Sequence, residues 1–152
     1  MTKHIVYLGL GTNLGDKNRN ISTAIDMIAE RVGDIVRKSS LRSTLPWGFE
    51  SDNDFVNAVV CVHTSLTPES LLAVTQQIES EMGRKEKTVA GEYTDRIIDI
   101  DILLYDDAVI NTPSLVVPHP LMFKRDFVML PLKEIMTDVQ YQELISWALD
   151  NK

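Results

Sequence analysis

Residues 96–105 read "RIIDIDILLY", among the most apolar stretches of this 152-residue chain, yet they open on an arginine and carry two aspartates. A short run this rich in isoleucine and leucine predicts a buried strand. Burying a carboxylate is costly unless a partner meets it. Alternation along a strand sends Ile98, Ile100, Ile102 and Leu104 to one face and Asp99 and Asp101 to the other, with Ile97 and Leu103 flanking the acids. The two aspartate Cα atoms then stand about 6.6–7 Å apart.

Two carboxylates held side by side repel unless a cation lies between them. One explanation is a solvated strand face. The other is a hard cation: Mg²⁺ takes one or two carboxylates plus substrate phosphates, and two such ions can share the pair. The apolar flanks favour the second. Other enzymes with paired aspartates, glycosyltransferases and nucleotidyltransferases, stay open at this point. A calcium-binding helix–loop–helix does not, because its glycine and terminal glutamate are missing.

A metal of this kind implies phosphate nearby. Arg84 and Arg96 bracket a charged loop, and His119, Lys124 and Arg125 follow the strand. Arginine offers planar, multidentate donation to phosphate oxygens. The chain has no G-x-x-x-x-G-K-[ST] loop and no G-x-G-x-x-G, so it is not a P-loop or dinucleotide-binding protein of the usual kind. His119 lies between two prolines in "VPHP", a restrained turn in which it can donate to phosphate. Cys61, the only cysteine, falls within an apolar strand and reads as a core residue that forms no intramolecular disulfide.

Outward from this centre the chain alternates clear signals. "HIVYLGLG" (4–11) is a buried strand, and Ile21, Ala24, Ile25, Ile28, Ala29 and Val32 recur at helical spacing before Gly33. Residues 34–43 predict a second strand and 55–64 a third, with Val56, Ala58, Val60 and Val62 on one face. Thr67 and Pro68 start a helix whose apolar stripe is Leu71, Val74, Ile78 and Met82. After the aspartate strand come a short hairpin in "YDDAVINTPSL", a turn-and-helix segment over 117–135, and a final helix over 139–149. The order is a split β-α-β pattern of ferredoxin-like type, an α+β domain spanning 1–152 with a mainly antiparallel sheet.

The net charge of −7 argues against nucleic-acid binding. No apolar run reaches the length of a transmembrane helix, and the N-terminus lacks the apolar core of a signal peptide. A cytoplasmic protein is expected.

Several segments coincide in order and spacing: "YLGLGTNLGD", "STLPWG", "DFVNAVV", "TSLTPESLL", "QQIESEMGR", "DRIIDIDILLYDD", "VINTPSLVVPHP" and "KRDFVMLPLKEI". Together they resemble the 6-hydroxymethyl-7,8-dihydropterin pyrophosphokinase family of folate biosynthesis across residues 5–135. The resemblance implies a three-layer αβα fold and transfer of pyrophosphate from ATP to the pterin hydroxymethyl oxygen, releasing AMP. It implies that Asp99 and Asp101 hold two Mg²⁺ and that Arg84 and Arg96 serve catalysis. Pterin contacts map to Thr44, Leu45, Trp47, Phe55, Asn57 and Phe127, and ATP contacts to Gln76, Glu79, Ile102, His119 and Arg125. ATP and the pterin are then the partners of a monomer. One departure stands out: Tyr93, in "YTDR", occupies a position where family members often carry tryptophan.

Overall fold

A computed structural model describes residues 3–44, 54–83 and 97–151, with only the backbone given for Thr44. The elements run β1 (His4–Thr12), α1 (Lys17–Arg31), β2 (Gly33–Lys38), β3 (Arg42–Thr44), β4 (Phe55–Thr64), α2 (Pro68–Glu81), β5 (Asp99–Tyr105), β6 (Ile110–Asn111), β7 (Val116–Val117), α3 (Asp126–Ile135) and α4 (Asp138–Asp150). The main sheet has the order β2-β4-β1-β5, with β3 also pairing β4, and every pairing is antiparallel. Hairpin β6–β7 stands apart. The single second strand expected over 34–43 is two short strands. Ser39 breaks it: its hydroxyl accepts from the Val59 backbone N–H at 2.9 Å, inside the space a continuous strand would use.

The apolar alternation of the strands divides the core in two. On one face Val6, Leu8, Ala58, Val60, Ile98 and Ile100 pack against Ile21, Ala24 and Ile28 of α1 and Leu71 and Ile78 of α2. On the other, Tyr7, Val59 and Cys61 pack against Val128, Met129 and Leu132 of α3 and Leu144 of α4. The sheet therefore carries two helices on each face, a mixed architecture with helices covering an antiparallel sheet.

The helix starts follow local chemistry. Asp16 accepts from the Arg19 N–H at the head of α1, and Thr67 from Ser70 N–H at the head of α2, with Pro68 in the first turn. Thr137 and Gln140 form a reciprocal capping box at α4. In α2, Leu71 and Ile78 are buried as expected, but Thr75 and Glu79 share that burial while Val74 and Met82 are only half-buried. The helix is rotated to bring Glu79 onto the edge of β5.

One expectation about β5 fails. Leu104 does not join Ile98, Ile100 and Ile102; it packs with Leu103 on the α3–α4 face, and Tyr105 returns to the α1–α2 face. The cause is a bulge: Tyr7 opposes Leu104 and Leu8 opposes Ile102, so Leu103 is the extra residue and the alternation skips a beat. Asp99 and Asp101 lie before the bulge, so their shared face is kept.

Candidate active site

Asp99 and Asp101 lie opposite glycines. In the β1–β5 register Gly11 pairs with Asp99 and Gly9 with Asp101. Neither glycine puts a side chain on the shared face. A Cβ at Gly11 would stand 3.1 Å from Asn57 Oδ1, and one at Gly9 would stand 3.4 Å from Leu103 Cδ1. Leu103 packs over Gly9, and Asn57 with Phe55 over Gly11, so the two glycines let these side chains close against the sheet beside the carboxylates.

β5 is the edge strand of the described sheet, and its outward backbone is covered from two sides. Glu79 Oε2, on α2, accepts the Ile100 N–H at 2.8 Å, between the two aspartates in sequence. The His119 N–H donates to Leu103 O at 3.0 Å. A cleft of about 520 Å³ wraps this edge, with Gln76, Glu79, Asp99, Asp101, His119 and Arg125 in its walls. Ile102 lines it as well, and so do Pro113, Ser114 and Leu115 of the β6–β7 connection.

His119 is held in one orientation. Its Nδ1 accepts the Leu121 backbone N–H at 3.2 Å. A backbone N–H can only donate, so Nδ1 presents its lone pair and the neutral ring carries its proton on Nε2. Nε2 stands 4.0 Å from Asp101 Oδ1. Burial, and then the nearby Arg125 guanidinium, push the His119 pKa below the usual histidine value, against a smaller opposing effect of Asp99. The ring is therefore a neutral donor directed at the aspartates.

Arg125 is buried, 7 % exposed, with Nη1 4.0 Å from Asp101 Oδ2 and its guanidinium 5.6 Å from the Phe127 ring centre. It immediately precedes the first turn of α3. A buried cation and a fixed N–H donor beside two carboxylates suit an anion bridged to the carboxylates by a metal.

The donor set fits Mg²⁺: hard oxygens only, from two carboxylates that line one cleft. Among the described residues no group of three or more His, Cys, Asp or Glu surrounds one point. Two carboxylates with the remaining positions left to water and phosphate is the coordination Mg²⁺ prefers.

All seven metal and ATP positions expected from the sequence line this one cleft. Of the pterin positions, Asn57 is buried and shares a sheet row with Gly11 and Asp99, two strands or about 10 Å from the latter. Phe55 lies two residues along the same strand, and a Cβ at Gly11 would stand 3.7 Å from its ring. Phe127 is half-buried on α3. Thr44 pairs with Phe55 through β3. Leu45, Trp47, Arg84 and Arg96, together with Tyr93, lie outside the described residues. Gly83 and Ile97, which flank 84–96, touch: a Cβ at Gly83 would stand 2.8 Å from Ile97 Cδ1. The sequence reading missed the packing over the two glycines and the 113–115 wall. The first needs the strand register; the second could have been suspected from the Pro-Ser pair in "NTPSL".

A small α+β domain with an anion- and metal-type cleft at its sheet edge is the class this geometry defines. The family model described as 7,8-dihydro-6-hydroxymethylpterin-pyrophosphokinase (HPPK) matches residues 7–137, and the chain belongs to that family. The 2-amino-4-hydroxy-6-hydroxymethyldihydropteridine pyrophosphokinase of Porphyromonas gingivalis is 48% identical over 132 residues, 86% of this chain and 90% of the relative. The proteins of the same name from Aquifex aeolicus and Bacillus subtilis are 46% and 41% identical, over 88% and 90% of this chain and 81% of each relative. Among solved structures, an HPPK-DHPS chain of Plasmodium falciparum superposes with a TM-score of 0.72 at 18% identity, covering 88% of this chain. This chain spans about 40% of that longer one. That likeness concerns the fold.

Proposed function

We infer that this chain is the pyrophosphokinase its family name describes, transferring a pyrophosphoryl group from ATP to 6-hydroxymethyl-7,8-dihydropterin, a step of folate biosynthesis. The observation that carries the reading is the single cleft holding Asp99, Asp101, His119 and Arg125 together, in a chain 48% identical to a pyrophosphokinase. The hydroxymethyl oxygen attacks the β-phosphorus. The bond from that phosphorus to the oxygen bridging the α-phosphate breaks, and AMP leaves with that oxygen. The hydroxyl proton is released to solvent.

Asp99 and Asp101 would hold Mg²⁺, two ions in this reading, which when bound neutralises the triphosphate and polarises its oxygens. The protein's own work is positioning and charge stabilisation. His119 Nε2–H and the Arg125 guanidinium donate to phosphate oxygens. Gln76, Glu79 and Ile102 serve as further nucleotide contacts. Phe55 and Phe127 suit the faces of a flat heterocycle, and the Asn57 amide suits its donor–acceptor edge. Thr44, Leu45 and Trp47 complete the pterin contacts, and Arg84 and Arg96 meet charge developing on the transferred group.

The strand order, with two helices against each face, supports a three-layer ferredoxin-like description of the fold. Among the described residues no helix is long and apolar enough to cross a membrane. The buried free thiol of Cys61 fits a reducing compartment. In this reading the chain is one domain acting as a cytoplasmic monomer.

Incubation with ATP, Mg²⁺ and the pterin is expected to yield AMP in step with pterin consumption. ADP as the sole nucleotide product would make the protein an ordinary kinase. Nucleotide binding without turnover would make it a regulatory module.

A further inference from the structure

A second cavity, of about 490 Å³, is nearly as large as the nucleotide cleft and of opposite character. Tyr7, Leu104 and Leu144 line it and are buried, and Met136, Pro118 and Trp147 contribute further largely apolar surface. Three acids, Asp106, Asp107 and Glu143, also line it and are exposed, so they form its mouth. No lysine, arginine or histidine is among its lining residues. It shares no residue with the nucleotide cleft, although the neighbours Pro118 and His119 line different cavities.

The cavity is built from defined parts of the fold. Its apolar floor exists because the β5 bulge turns Leu104 to this face. At the mouth Asp106 holds a turn with φ +51, accepting the Ile5 N–H at 2.7 Å and meeting His4 Nδ1 at 2.7 Å. On the far wall Trp147 lies against Phe123, ring centres 6.1 Å apart. Cavities of this volume, apolar inside with a few polar groups at one end, are the usual form of small-molecule sites. Carboxylates at the mouth attract cations and repel anions, and an indole face adds to the attraction.

We propose that this cavity binds a small organic cation, its aryl or alkyl body in the apolar chamber and its ammonium or guanidinium group at Asp107 and Glu143. The site does not depend on the pyrophosphokinase reading. Three probes of one shape test it on the full chain: 4-phenylbutylamine, 4-phenylbutanol and 4-phenylbutyrate, followed by amide and indole shifts in NMR. Saturable shifts at Asp107, Val109, Glu143 and the Trp147 indole are expected. The amine should bind on the order of five- to tenfold more tightly than the alcohol, and the carboxylate more weakly than either. In Asp107→Asn with Glu143→Gln, both exposed positions, the amine should fall to the alcohol's affinity. Saturating ATP and Mg²⁺ should leave amine binding unchanged. Absence of saturable shifts, equal affinity for amine and carboxylate, or shifts centred on Asp99, Asp101 and His119 would overturn the proposal.

Discussion

Asp101 is the residue on which the β5 cleft converges, 4.0 Å from both His119 Nε2 and an Arg125 guanidinium nitrogen. Asp101→Ala should lower turnover by about 10²–10³-fold, the range of a lost electrostatic contact to the transition state. The side chain is about one-third exposed, so the fold should stay intact on its loss. Steady-state kinetics with a melting curve check both parts, and unchanged turnover would remove Asp101 from the metal site. The acidic pair itself was legible from residues 96–105, because period-two alternation alone puts both carboxylates on one face. The roles of Gly9 and Gly11 were not. They follow from which residue of β1 sits opposite which aspartate, and that pairing is a long-range property. The neutral donor state of His119 likewise rests on a backbone N–H two residues on, visible only once the turn is built.

At the level of elements, the helices were the easier part to read. Thr67–Pro68 and the Gly33 stop mark chain reversals by local chemistry. Gly33 is more than a stop: a Cβ there would lie 1.9 Å from the His63 backbone oxygen, with φ at +159. Gly33→Ala must push β2 away from β4, at a cost of about 2–4 kcal/mol. That corresponds to a fall in Tm of roughly 4–16 °C for a domain of this size; no fall would mean that β2 shifts freely. Between α1 and α2, Arg31 donates two hydrogen bonds to the Glu81 carboxylate, at 2.5 and 2.9 Å. The Arg31 partner holds the Glu81 carboxyl below its ordinary value of 4.5. The sign follows: the pair stabilises the fold above that ordinary value and loses its effect as pH falls through the lowered one. Both groups are exposed, so the effect is small. The Tm gap between the native chain and Glu81→Gln should therefore be positive near neutrality and close under acid. A gap unchanged across that range would show that the pair contributes nothing. The β5 bulge was beyond sequence reasoning, because the alternation of "DIDILLY" ends in an unbroken apolar run, Ile102 to Tyr105, and only the register with Tyr7 and Leu8 reveals the extra residue.

Across the whole molecule, the cleft joins α2, β5, the β6–β7 connection and the start of α3, segments with no local signal linking them. Composition argued against nucleic-acid binding and offered no apolar run of transmembrane length, but said nothing of this assembly. The sequence brought Gln76 and Glu79 into the site only through the family resemblance; for His119 and Arg125 it offered a loose basic cluster near phosphate and no geometry. The second cavity had no sequence signature at all, since its floor is made by the bulge and its mouth by acids from two distant elements. The central claim is that one cleft moves two phosphoryl groups at once, and labelled nucleotide tests it most directly. With the pterin, Mg²⁺ and ATP carrying phosphorus label at either the β or the γ position, both labels should appear in the pterin product and neither in AMP. Transfer of the γ label alone, with the β label left on ADP, would contradict it.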